Sequence, residues 1–140
     1  MRAVLDTDVL VAALRSDRGA SREILLGALD QRFDLLLSVP LVIEYEAVLT
    51  RPEHLEAASA STADVIAILD ALVAIAEPVR LSFRWRPVLN DPSDDMVLET
   101  AVNGGADVLV TFNRRHFNVA LREFRLELSS PSEFLARIRK

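Results

Sequence analysis

No cysteine occurs in the 140-residue chain. That excludes a disulfide scaffold and every site built on thiolate, whether zinc cluster, iron–sulfur centre or cysteine nucleophile. Lysine is nearly absent: fifteen arginines are accompanied by Lys140 alone. The only imidazoles are His54 and His116. No apolar run approaches the ~20 residues that a membrane-spanning helix needs. The opening Met1-Arg2-Ala3-Val4-Leu5 meets Asp6 too early for a signal peptide. Internal repeats, low-complexity tracts and Gly/Ser linkers are missing too. These absences leave one expectation: a single globular domain over residues 1–140, soluble, cytoplasmic and not membrane-bound, long enough to bury a core.

The charge that is present is unevenly spread. The net charge is −5, which makes nucleic acid a poor first guess for a partner. Residues 1–79 carry −7, whereas 80–140 carry +2 and the final stretch 114–140 carries +4. That local excess keeps a polyanionic partner open, bound weakly and with strong salt dependence.

Short apolar runs alternate with helical patterns. Ala3–Leu5, Leu35–Leu37 and Val108–Thr111 read as buried strands, Pro78–Leu81 as a short strand and Arg125–Leu128 as an edge strand. Helices are expected over 9–14, 21–30, 40–49, 65–76 and from the acidic turn 90–95 to Gly104-Gly105. Ser61-Thr62-Ala63-Asp64 and Ser130-Pro131-Ser132-Glu133 read as capping boxes. The alternation predicts an α/β fold, a three-layer α/β/α arrangement around a mainly parallel sheet. Ligands of such sheets bind outside the carboxyl ends of the strands.

Acids gather at those ends. Asp6-Thr7-Asp8 follows the first strand, and the helix after the second strand carries Glu44 and Glu46. Asp91, Asp94 and Asp95 open the helix before the third strongly apolar strand, after which come Thr111 and Asn113. A helical wheel puts Asp94 on the stripe of Val97, Leu98 and Ala101, with Asp95 and Glu99 off to the side. Glu44 and Glu46 flank the Leu41/Tyr45/Val48/Leu49 stripe, and the wheel does not choose between them. Singly, each acid has an ordinary explanation: Asp94 as a helix cap, Asp91-Pro92 as a turn, the glutamates as solvated positions. Asp6 is harder to explain so, because an acid ending a buried strand needs a partner. Converging carboxylates cannot all ionise without a cation. An all-oxygen set favours Mg²⁺ or Mn²⁺ over zinc, and such ions commonly serve phosphate chemistry.

Four pieces in order, Asp6-Thr7-x-Val9-Leu10, Glu44-Tyr45-x-x-Val48-Leu49-x-Arg51-Pro52, Asp91-Pro92-x-Asp94-Asp95 and Val110-Thr111-x-Asn113, resemble the PIN domain family, named from the PilT N-terminus. The resemblance is closest to the bacterial branch of VapC-like toxins of toxin–antitoxin systems. It implies a metal-dependent ribonuclease using Mg²⁺ or Mn²⁺, an antitoxin partner and a homodimer. It also implies that Asp6, Glu44 and Asp94 are the core acidic positions, which settles Glu44 over Glu46. Asn113 stands where the family usually has a fourth Asp, and Asp8 where it more often has Asn or Ser. Thr7 and Thr111 match supporting hydroxyls, with Asp91 and Asp95 as alternative acids.

The mechanism expected from this has Asp6 and Asp94 coordinating the ion and Glu44 anchoring it or orienting water. Asn113 would hold a water or the phosphate, and RNA would be cut to leave a 5′-phosphate. Arg114 and Arg115 read equally as ligands of substrate phosphate or as a solvated turn, and His116 as packing or capping. Competing readings are a haloacid-dehalogenase-like phosphatase, with Asp6 as nucleophile and Asp8 as general acid, and a response-regulator receiver. Both need a lysine near the phosphoryl group, and only Lys140 exists. A PIN domain weakened by Asn113 and acting as a binding module, with 65–76 as its surface, is the third.

Overall fold

The computed structural model describes residues 1–82, 92–123 and 125–139, without the side chains of 92, 93 and 119–123. Asp91 lies outside the described residues. Five parallel strands form the sheet: β1 (Arg2–Leu5), β2 (Asp34–Leu37), β3 (Glu77–Pro78), β4 (Val108–Val110) and β5 (Glu127–Ser129), in the order β3-β2-β1-β4-β5. Helices α1 (Thr7–Arg15), α2 (Ala20–Leu29), α3 (Val39–Leu49), α4 (Pro52–Ala58), α5 (Thr62–Ile75), α6 (Pro92–Asn103), α7 (Arg114–Glu123) and α8 (Pro131–Ile138) complete a three-layer α/β/α fold. Among the described residues no single helix is long and apolar enough to cross a membrane.

Ala3 to Leu5 and Val108 to Val110 are buried on both faces, which is why these strands read as continuous apolar runs. Helix α6 lies against β1, β2 and β4, and α2 packs on both α1 and α8. Phe33 meets Phe134 of α8 edge-on, with ring centroids 5.0 Å apart. The Ser61–Asp64 capping box is complete, and Ser130 caps α8 by accepting from the Glu133 N–H. Gly105, at φ +62°, ends α6 in the left-handed region that glycine tolerates best.

The differences from the sequence reading have identifiable causes. Helix α4 was not expected, because Pro52 reads as the end of α3; it also occupies the first position of a new helix, where a missing N–H costs nothing. Helix α7 (RRHFNVALRE) was hidden by its charge. The strand expected over 78–81 is Glu77–Pro78. Asp95 and Glu99, placed off the core face by the wheel, are both buried, Glu99 completely at 0% exposure. Helix α6 is covered by α3 and α7 as well as by the sheet, so more than one of its faces is interior.

Candidate functional site

The strand order reverses direction between β1 and β4, since β2 and β3 extend to one side and β5 to the other. The crevice outside that reversal is where α/β sheets take ligands. Asp6 sits there as the N-cap of α1, accepting from the Thr7 N–H at 2.8 Å while its own N–H donates to the Val110 carbonyl at 2.9 Å. Across the crevice the Thr111 hydroxyl donates to Asp6 Oδ2 at 2.7 Å and accepts from the Asn113 N–H at 2.9 Å. The Asn113 carboxamide then reaches back and donates to Asp8 Oδ2 at 2.6 Å. A continuous path of hydrogen bonds therefore locks the end of β4 to the first turn of α1.

The cleft over this path is about 340 Å³. Its lining includes Asp6, Thr7, Asp8, Glu44, Asp94 and Asn113, brought together from β1–α1, α3, α6 and the β4–α7 loop. Glu44 faces it half-buried, whereas Glu46 is exposed. Tyr45, fully buried, donates its hydroxyl to the Leu5 carbonyl and thereby ties α3 to the end of β1 next to Asp6. Asp94 lines the cleft and its Oδ2 stands 3.1 Å from His116 Nδ1. Asp95 is buried outside the lining.

Three further polar residues of the lining are not among the site residues expected from sequence: Arg51 and His54, brought in by α4, and His116 on the first turn of α7. The Arg51-Pro52 step was the available signal for the first two, read as a terminator instead of a helix start. His116 neither packs nor caps as expected; Phe117, beside it, is the buried residue. Arg114 pairs with Glu133 at 3.3 Å on the exposed surface, and neither it nor Arg115 lines the cleft.

Burial pushes the Asp6 carboxyl above its ordinary range, against the opposing help of the Thr111 hydroxyl and the Thr7 N–H. Asp8 is pushed up to about 7, first by burial and then by the adjacent Asp6 charge. Together they favour one proton or one cation between them.

Among the described residues no three His, Asp or Glu side chains form a ready-made metal-ligand group. The donor chemistry nevertheless suits a hard cation. Asp8 Oδ1 and Thr7 Oγ1, both oxygen donors on the cleft lining, are buried without a hydrogen-bond partner. Mg²⁺ is commonly held by one or two carboxylates with water completing its shell, which two adjacent aspartates can supply.

The PIN domain family model matches residues 2–115, and the chain belongs to that family. Among solved structures it is similar to a chain of VapBC2 from Rickettsia felis, determined bound to a DNA fragment from their promoter. The likeness has a TM-score of 0.60 at 17% identity and covers 93% of this chain and 98% of that one, so it bears on the fold. No curated protein sequence matches the chain.

Proposed function

We propose that the protein is a Mg²⁺- or Mn²⁺-dependent endoribonuclease, acting as the toxin of a toxin–antitoxin pair. One observation carries the reading: in a PIN domain, four carboxylates from three separate elements line one cleft at the β1–β4 reversal. Asp6, Asp94 and Glu44 would hold the ion, directly or through water. Bound there, it would polarise the phosphoryl oxygen, lower the pKa of an attacking water and favour in-line displacement.

The chain's own groups do the rest. The Thr111 hydroxyl and Thr7 N–H fix the Asp6 carboxylate, and His116 fixes that of Asp94. Glu44, midway along α3, orients water in the cleft. Arg51, a cation inside the cleft, meets a substrate phosphate, with Arg114 and Arg115 further along the strand path. Cleavage leaves a 5′-phosphate. The likeness to VapBC2 supports an antitoxin partner and a cytoplasmic setting. The exposed Val39, Ile43 and Val73 around an apolar hollow between α3 and α5 support a homodimer.

The test is purified protein with labelled single-stranded RNA, in Mn²⁺, in Mg²⁺ and in EDTA. Cleavage should need metal and be lost in Asp6→Asn and Asp94→Asn, with p-nitrophenyl phosphate untouched. Turnover of that monoester with RNA left intact would overturn the nuclease in favour of the phosphatase.

A further inference from the structure

Asp8 and Asn113 are joined across the cleft by a side-chain hydrogen bond of 2.6 Å. In that contact the amide donates and Asp8 Oδ2 accepts, so one oxygen of the carboxylate is occupied and its plane is fixed. The other, Oδ1, is sealed from solvent and has no partner. Its charged neighbour is Asp6. The Val9 and Phe112 N–H groups reach the same carboxylate, yet Oδ1 itself stays without a partner beside another acid, a position that a cation satisfies at full charge. A second, separate observation comes from Thr7, which is 8% exposed, lines the same cleft and also leaves its Oγ1 without a partner.

We infer that Asp8 is a metal ligand through Oδ1 and that Asn113 is its positioning residue, holding Asp8 by the amide instead of ligating the ion. The inference rests on the metal-dependent reading above and goes beyond it. It moves the negative charge of this corner of the site from the β4 side of the cleft to the α1 side. Asn113 is itself held in place by its backbone bond to Thr111, so the support for Asp8 runs back to the same hydroxyl that holds Asp6.

The arrangement makes a reciprocal test available. Asp8→Asn preserves shape and still accepts from Asn113, but removes the charge. The exchange Asp8→Asn/Asn113→Asp reverses the donor and acceptor of the same bond and returns the charge to the other side. Mn²⁺ binding is measured by calorimetry and by electron paramagnetic resonance on each protein, alongside the melting temperature in EDTA. Asp8→Asn should weaken Mn²⁺ by about tenfold or more while melting no lower than wild type in EDTA, because a buried charge has gone. The exchange should recover most of the lost affinity, and Asn113→Ala should weaken binding less than Asp8→Asn.

Mn²⁺ bound by Asp8→Asn with the wild-type constant would overturn the inference, as would an exchange no better than Asp8→Asn, or a wild type that binds no Mn²⁺. A wild type that binds Mn²⁺ through Asp8 yet leaves RNA intact would sink the ribonuclease and leave the ligand assignment standing. Metal-dependent cleavage unchanged in rate and in Mn²⁺ requirement by Asp8→Asn would do the reverse.

Discussion

His116 Nδ1 stands 3.1 Å from Asp94 Oδ2, joining the first turn of α7 to the first turn of α6 across the cleft. His116 is exposed, so its loss removes this contact without opening the core. Asp94 then loses one of the contacts that orient its carboxylate. His116→Ala should lower ribonuclease kcat by about tenfold or more, the usual scale for a group that orients a metal-binding side chain. Its melting temperature should stay near that of wild type. Unchanged kcat would mean that Asp94 is held by its other contacts.

Thr111 serves two clients, donating to Asp6 and accepting from the Asn113 N–H. Thr111→Val is close in shape but leaves the buried Asp6 oxygen and the part-buried Asn113 N–H short of a partner. A stability loss of about 1–3 kcal/mol is expected, together with a further rise in the Asp6 pKa. Thr111→Ser keeps the hydroxyl and should recover most of the activity. Equal activity in the valine and serine variants would remove Thr111 from the site's support.

The pH dependence of stability has a definite sign. Asp6 and Asp8 are both raised in the folded chain, Asp8 to about 7. Between the unfolded value of about 4 and that folded value, the folded state binds more protons than the unfolded state. Stability from this pair is therefore complete at low pH and is lost as pH rises through the window. In EDTA, the urea midpoint of wild type relative to Asp8→Asn should fall between pH 5 and 7.5. Saturating Mn²⁺ should abolish that fall, because the ion replaces the proton. A wild-type-minus-variant difference that is flat with pH would contradict the shift.

Tyr45 donates its hydroxyl to the Leu5 carbonyl from a fully buried position. Tyr45→Phe leaves that carbonyl without this donor and should cost about 1 kcal/mol in a urea melt. Because the ring remains, α3 stays seated and Glu44 still faces the cleft, so cleavage should fall far less than in Glu44→Gln. A Tyr45→Phe loss as large as that of Glu44→Gln would mean the hydroxyl positions Glu44 directly.

Much of this site was legible because strand burial and strand ending coincide. Ala3-Val4-Leu5-Asp6 announces both the strand and the acid that must find partners, and Asp94 falls on the apolar stripe of α6. Glu44 and Glu46 were beyond a helical wheel, since the cleft lies on a flank of α3 instead of its core face. Arg51 and His54 were missed with α4, whose short helix buries no side chain completely and so leaves no apolar period. The place of His116 was not legible because α7, whose sequence spaces Phe117, Ala120 and Leu121 for one face, is otherwise so polar that it reads as a solvated turn.

The hydrogen bond between Asp6 and Thr111 joins residues 105 positions apart. Every carboxylate of the cleft precedes Thr111 in the chain, yet the crevice that gathers them exists only once β4 has paired with β1. A nascent chain that has not yet delivered β4 carries the acids without the site. For the ribonuclease proposed above, the order of synthesis is thus a safeguard in itself: the cleft closes only after β4 has been made.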